Sequence, residues 1–347
     1  MSTVDQETDL PRATLDTPNE RAALERLWIS IFGNMMQGSF FLLTLVADIG
    51  KGRDRISTTI YTGRTGKCNL LIYLPKEDAP RRDHGTGVVV HLHGSGWTVG
   101  KAQFEHRAAR RMADELGTIV VCPNYHKAPG YPYPFALYEM HAVLDWIASG
   151  GLSAVVKTHR ESFVVDTTRI ALSGGSAGGN LAACLALLTQ KKPLCNNSSV
   201  VALGLLYPHV DAATPFEEKL DAMDNKKDVA LPPWVSKFFL KAYLPPPRNF
   251  ADPYVSPLRA SPERLALFPE TVLVTASKDY LAREGDQFAE KLQKAGVSVR
   301  HIQCQGVAHA FDLDPAFSKS QRQRNQAATE ESWGTIIDVF RGALSAS

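Results

Sequence analysis

One serine of this chain sits among glycines in a way that suits a nucleophile. Residues 169–180 read RIALSGGSAGGN, and Gly174-Gly175-Ser176-Ala177-Gly178 within them is a G-x-S-x-G. The apolar run before it and the Ala- and Leu-rich run after it predict a strand, a sharp turn and a helix. In that setting the serine takes strained backbone geometry and aims its hydroxyl out above the sheet. The first helical amides, including that of Ala177, then face the place where negative charge develops. Glycine is needed two residues to either side, where a side chain would strike the neighbouring strand and helix. Phosphate-cradling readings of the same glycines fail on spacing. A dinucleotide fingerprint needs glycines at i, i+2 and i+5, but two residues after Gly174 stands Ser176 and two after Gly175 stands Ala177. A Walker loop needs Lys after its last glycine, and Gly179 is followed by Asn180.

An alcohol needs a base to become a nucleophile at neutral pH, and the base needs an acid to orient it. Three histidines follow Ser176: His209, His301 and His309. His301 falls inside a strand pattern. His309, in GVAHAF, comes directly after the last predicted strand, at the carboxyl end of the sheet where open α/β sheets place their active groups. Asp279, in TVLVTASKDYLAREG, lies just past the penultimate strand and is the predicted acid; serine, acid, histidine is a known order for such a triad. Glu284 and Asp286 fall inside the following helix and read as solvated charges or first-turn dipole partners. Upstream, VVVHLHGSGWTVG places Gly94, Ser95 and Gly96 in a small-residue loop able to offer backbone N–H groups to an oxyanion; one such donor is worth about 10²–10³ in turnover. His91 and His93 are too few for a zinc site, which needs three or four ligands, and no HExxH follows. No metal is expected.

These groups must be held by a scaffold, and the chain alternates between short β-branched runs and helical periods. Strands are predicted at 56–63, 68–74, 87–93, 118–122, 169–173, 200–207, 271–276 and 299–305, and helices at 104–116, 135–149, 177–190 and 284–295. Alternation of this kind implies crossover units and a mainly parallel eight-stranded sheet with helices on both faces. The first two strands have no helix between them and should form an antiparallel edge. Two regions break the rhythm: the helical segments before the first strand, and a Pro- and charge-rich insertion containing the amphipathic PPWVSKFFLKAYL. The domain reading is therefore 1–54 as N-terminal cap helices, 55–208 as the first part of the α/β core, 209–254 as a cap insertion and 255–347 as the second part of the core.

Composition excludes several other classes. Thirty-eight Lys and Arg against 36 Asp and Glu give a net charge of +2, without a basic block, so neither nucleic acid nor an anionic membrane is an expected partner. Five widely spaced cysteines with no CxxC pair fit reduced thiols and a cytoplasmic protein. The start, MSTVDQETDLPRATLD, is polar and acidic where a secretory signal would be basic and then apolar. Residues 28–50 are apolar but interrupted by Gly33, Asn34, Gln37, Gly38, Ser39 and Asp48, so stable membrane insertion is not expected.

Taken in order, HGSGW, GGSAGGN, DYLAREG and HAF resemble the hormone-sensitive-lipase-like (bacterial family IV-like) branch of α/β-hydrolase carboxylesterases, from about residue 60 to the C-terminus. The segments YHKAPGYPYPFALYE and DPYVSPLRA resemble that family's Tyr-Arg-Leu-Ala-Pro-Glu stretch and its exit from the cap. The resemblance implies an α/β-hydrolase fold with a helical cap and a serine esterase in which Ser176, Asp279 and His309 form the triad. It implies an oxyanion hole from Gly94, Ser95, Gly96 and Ala177, no cofactor, and a small-molecule ester as partner; a homodimer is the assembly considered. Three positions depart from the family pattern: Ser95 stands at the second glycine of HGGG, Gly175 where many members carry Asp, and Gly130 where many carry Glu. Trp97, Met35, Met36, Phe40, Phe41, Phe238 and Phe239 are candidates to line an acyl or aromatic pocket. Two alternatives stand beside hydrolysis: a fungal biosynthetic enzyme that opens a lactone, removes an acetyl group or drives condensation or cyclisation, and a ligand-binding receptor of the same fold, against which the presence of His309 argues, since such receptors lose the catalytic histidine.

Overall fold

The computed structural model describes residues 28, 29, 31–33, 35, 36, 55–63, 66–79, 86–223, 225, 226, 229, 231–313 and 318–345. Eight strands follow one another along them: β1 Ile56–Tyr61, β2 Lys67–Tyr73, β3 Thr86–Leu92, β4 Ile119–Asn124, β5 Val165–Gly175, β6 Ser199–Leu206, β7 Glu270–Ala276 and β8 Val299–Cys304. They coincide with the eight predicted runs except that β5 begins at Val165, ahead of the apolar stretch. All eight form one sheet in the order β1-β2-β4-β3-β5-β6-β7-β8. β1 pairs antiparallel with β2 and β2 antiparallel with β4, while every later pairing is parallel. The first two strands therefore make the expected antiparallel edge.

The central strands are buried on both faces, which is why they read as unbroken apolar runs. On β3, Val88 and Val90 point into one core and Val89 into the other; on β5, Ile170 and Leu172 face the first core and Ala171 the second. Helices α2 (Phe135–Ala148) and α4 (Ala177–Lys191) cover the first face, together with α7 (Ala282–Lys294). Helix α1 (His106–Leu116) and helix α8 (Lys319–Ala343) cover the second. A short helix, α3 (Gly151–His159), completes the crossover into β5.

Two of these helices escape the sequence pattern. The first half of α8 is polar, and the residues it buries there are Asn325, Ala328 and Ser332; its apolar face begins only at Trp333, so the helical period is too short to read. Helix α3 buries only Leu152 and Val156.

The chain leaves β3 toward β4 on one side and β5 toward β6 on the other, so the carboxyl ends of β3 and β5 diverge into a crevice of the kind that holds ligands in open α/β sheets. Above it lie helices α5 (Phe216–Asp221) and α6 (Pro233–Tyr243) of the insertion and the helical residues near position 30. Phe216, Leu240 and Leu244 join Tyr280 and Leu281 of the core in one apolar cluster. Phe238 meets Phe32 edge-on with centroids 4.9 Å apart, which fastens the N-terminal segment to α6. Among the described residues no helix is long and apolar enough to cross a membrane.

Candidate active site

Ser176 stands between β5 and α4 with φ 53° and ψ −119°, a conformation an L-residue holds only when its surroundings over-determine it. Its N–H donates to Leu206 O at 2.9 Å, tying the turn to the neighbouring β6. The glycines on either side have no alternative. A Cβ on Gly178 would stand 2.0 Å from Leu92 O, and one on Gly174 would stand 2.5 Å from the Gly178 carbonyl carbon.

His309, in the loop after β8, places Nε2 2.9 Å from Ser176 Oγ and Nδ1 2.6 Å from Asp279 Oδ2. Asp279, in the loop after β7, is buried, and its other oxygen accepts from Leu281 N–H at 3.0 Å. An ionised carboxylate only accepts, so the imidazole proton lies on Nδ1 and Nε2 is left to accept from the serine hydroxyl. The two loops are joined by backbone bonds from Ser277 N–H to Cys304 O and from Lys278 N–H to Val307 O, each 3.0 Å.

In the loop after β3 the carbonyls are taken up by hydrogen bonds, one after another. His93 O accepts from Tyr125 Oη (3.1 Å), Gly94 O from His93 Nδ1 (2.8 Å), Ser95 O from Thr98 and Val99 N–H, Gly96 O from Thr98 Oγ1 (2.9 Å) and Trp97 O from Ala128 N–H (3.0 Å). The amides of Gly94, Ser95 and Gly96 donate to no acceptor among the described residues. Holding this shape costs strained backbone at Ser95 and Trp97, which take φ of 88° and 56°, while Gly96 between them takes 60° without strain. The Ser95 side chain lies against Gly100, where an added Cβ would be 2.4 Å from its Oγ. Gly94 lies on the elbow itself, its missing Cβ 3.5 Å from that of Ser176. Ala177 opens α4, where the first amides have no intrahelical acceptor.

A pocket of about 290 Å³ opens over Ser176, walled by Met36, Trp97, Phe216, Val235, Phe239 and Leu281 and therefore mostly apolar. Two pocket expectations need correction. Phe238 points away and packs on Phe32 and Trp28, while its neighbour Phe239 turns inward, since consecutive helical side chains diverge by about 100°. For the same reason Met35 is 64% exposed while Met36 lines the pocket. Phe40 and Phe41 lie outside the described residues.

The other candidates are used elsewhere. His91 bonds Ser173 Oγ at 2.8 Å and Glu105 at 3.2 Å, and His93 stacks on Tyr125. His301 pairs with Asp286 at 2.9 Å on the sheet edge. Glu284 is not solvated: it is 4% exposed, forms an ion pair with the equally buried Lys219 of α5, and accepts from Val210 and Asp211 N–H at 2.7 and 3.2 Å. Burial pushes its carboxyl above the usual range despite the ammonium beside it.

Tyr207 is a neighbour of the site that the motifs do not reveal. Its ring lies 4.9 Å from that of His309, and its hydroxyl donates to Asp312 Oδ1 at 2.5 Å, whose other oxygen accepts from Trp333 Nε1 at 3.2 Å. A Cβ on Gly175 would come within 3.0 Å of this ring, so the glycine at that position makes room for it. The signal available in the sequence was its place at the carboxyl end of a predicted strand.

Comparison with known proteins gives these residues a context. Residues 89–313 match a family model described as alpha/beta hydrolase fold. An arylesterase of Saccharolobus solfataricus is 27% identical over 241 residues, 70% of this chain and 73% of that one. The carboxylesterase NlhH of Mycobacterium tuberculosis is 32% identical over 229 residues, 65% of this chain and 66% of that one. Among solved structures, carboxyl esterase 2 of the mycorrhizal fungus Tuber melanosporum superposes with a TM-score of 0.70 at 25% identity, covering 85% of this chain and 88% of that one.

Proposed function

The chain belongs to the α/β-hydrolase-fold family, in its hormone-sensitive-lipase-like branch, as a carboxylic ester hydrolase, and we propose that Ser176, His309 and Asp279 carry the reaction. One observation carries this reading: the unbroken hydrogen-bond chain from Ser176 Oγ through His309 to Asp279. His309 Nε2 takes the serine proton as Oγ attacks the ester carbonyl carbon. The carbonyl π electrons move to oxygen, and the amides of Gly94, Ser95, Gly96 and Ala177 hold that oxyanion. Collapse expels the alcohol oxygen, which takes the proton back from His309 and leaves an acyl-serine. Water gives a proton to the same nitrogen and attacks the acyl carbon; the bond from that carbon to Oγ breaks, Oγ takes the proton back and the acid leaves, while Asp279 keeps the imidazole in its working tautomer throughout.

The apolar walls suit small to medium acyl or aromatic groups. In this reading 209–254, together with the described residues between 28 and 36, serves as the cap over 55–208 and 255–347; the rest of 1–54 lies outside the described residues. The relatives are named for ester hydrolysis, so the biosynthetic alternative is not favoured. A receptor role has no support in a site whose histidine reaches both of its partners.

Intact-mass measurement after a fluorophosphonate probe tests the assignment. Wild type should gain one adduct and Ser176→Ala none, with ester turnover falling by about 10⁴–10⁶. An adduct and turnover that both survive the substitution would remove Ser176 from the role. Five free thiols keep a cytoplasmic location in this reading, which cell fractionation checks. A homodimer is carried by the apolar face of Trp28, Ile31 and Trp234, each more than half exposed, and light scattering of the purified protein decides it.

A further inference from the structure

Three histidines follow the elbow; His309 acts in the proposed reaction, His301 pairs with Asp286 on the sheet edge, and His209 has no task in either place. It comes directly after the Tyr207-Pro208 step at the end of β6 and is 5% exposed. Its backbone is fixed from both sides: its N–H donates to Ser176 O at 3.4 Å and its carbonyl accepts from Asn180 Nδ2 at 2.8 Å. The imidazole, by contrast, has no partner on either nitrogen among the described residues. Its ring stands edge-on to Trp97, with centroids 5.4 Å apart at 81°. Trp97 is itself 3% exposed, stacked on Tyr243 at 4.5 Å, and its indole N–H likewise has no acceptor.

Of the described residues that bury a nitrogen or oxygen without a partner, only these two line the pocket over Ser176. Leaving such a group unmade costs about 1–3 kcal/mol, so two of them side by side in a mostly apolar wall need a reason. An unpartnered buried group calls for an explanation, and at the wall of a pocket a bound ligand supplies one.

We propose that His209 and Trp97 form a polar subsite for a second, uncharged oxygen of the substrate, a hydroxyl, ether or carbonyl, so that oxygen-bearing esters are preferred over plain alkyl ones. The inference rests on the ester-hydrolase reading of Ser176 and deepens it. The chemistry of the pair sets the class. An indole donates only, and a neutral imidazole donates from one nitrogen and accepts at the other. Together they suit an acceptor oxygen or a hydroxyl. Burial, with the Lys219 ammonium adding to it, holds the His209 imidazole well below its usual pKa, so the ring is neutral in the working range. Charged substrates are excluded by the apolar surroundings, in which an unpaired ion is far more costly than a hydroxyl.

Two isosteric pairs of esters test the subsite: p-nitrophenyl butyrate against p-nitrophenyl methoxyacetate for the acyl side, and butyl acetate against 2-methoxyethyl acetate for the alcohol side. Each kcat/KM is divided by the hydroxide-catalysed rate of the same ester, which removes the inductive effect of the ether oxygen. In wild type the oxygen member of at least one pair should lead by about tenfold, the worth of one hydrogen bond. The ratio should fall toward unity in His209→Leu, fall part of the way in Trp97→Phe, and return in His209→Gln, which keeps a donor and an acceptor. His209→Leu should also melt no lower than wild type, because it removes an unpartnered polar group from an apolar wall. Ratios of unity for both pairs in wild type overturn the proposal, as does a preference that survives both His209→Leu and Trp97→Phe. Should the leucine variant fail to fold, the wild-type and Trp97→Phe ratios decide alone. Turnover and fluorophosphonate labelling of Ser176 with flat ratios would sink the subsite and leave the esterase standing; absence of both turnover and labelling would sink the two together.

Discussion

Two glycine-bearing loops meet at the proposed reaction centre, and different things hold them in place. At the elbow, a side chain on Gly174 or Gly178 would run into main-chain atoms of the sheet and of its own helix, at 2.5 and 2.0 Å. In the loop after β3, a Cβ on Gly96 would meet the ring of Phe239, 2.1 Å away, which belongs to α6 of the insertion. Backbone inside a parallel sheet cannot give way, whereas an aromatic ring on a covering helix can. The glycines of the elbow are therefore fixed by core backbone, and the loop proposed to hold the oxyanion is placed by the core and the insertion together. Under the proposed roles, a change in the insertion can reach oxyanion stabilisation without moving Ser176.

The sharpest test of that contrast is Gly178→Ala. With no movable neighbour, it should cost more than about 4 kcal/mol, read as loss of soluble protein or a collapse of the urea midpoint, and no second substitution should rescue it. Wild-type stability in this variant would break the comparison outright. Next comes the tie between the two regions, the Lys219–Glu284 ion pair. Lys219→Met leaves a carboxylate buried without its cation and should cost about 3–5 kcal/mol in urea unfolding. Adding Glu284→Gln should recover a large part, and a strictly additive double variant would show that the pair does not act as a unit.

Gly96→Ala should be milder in stability and harsher in rate. Displacing Phe239 and straining a residue at φ 60° should lower kcat/KM about a hundredfold, and Phe239→Ala in the same chain should return part of it. Equal loss with and without the ring would deny the cap any part in that loop. The smallest effect concerns the point where the chain enters the insertion. Burial works against the Asp211 carboxylate, yet hydrogen bonds from Arg259 (3.1 and 2.7 Å) and Thr214 bring its pKa from 3.8 down to about 2. A carboxyl depressed in the folded state stabilises fully above its unfolded pKa and loses that contribution as pH falls toward the folded one. Unfolding midpoints measured at pH 6 and pH 3 should therefore differ less in Asp211→Asn than in wild type.

The two regions also differ in how far they could be read from the chain. The core was legible because strands buried on both faces, such as GVVVHLH, leave unbroken apolar runs, and because an elbow needs small residues at fixed offsets. The cap was not, since helix packing depends on which of two neighbours turns inward. Nothing local to Phe238 and Phe239, or to Met35 and Met36, says which one that is. Glu284 shows a second limit: it looks like a first-turn helix charge until Lys219, distant along the chain, is brought against it by the insertion. His209 shows a third, because being unpartnered is a property of the fold and leaves no mark in a sequence.

One further feature gives the protein a gauge of its own. Trp333, buried on the last long helix, donates its indole N–H to Asp312, which holds Tyr207 beside the ring of His309. Indole emission responds to the charge and order of whatever the N–H touches. The last helix thus wires a fluorophore to the back of the imidazole, so the proposed acylation of Ser176 could be followed by light from a residue outside the pocket lining. With Trp28, Trp97, Trp146 and Trp234 replaced by Phe, that signal would stand alone.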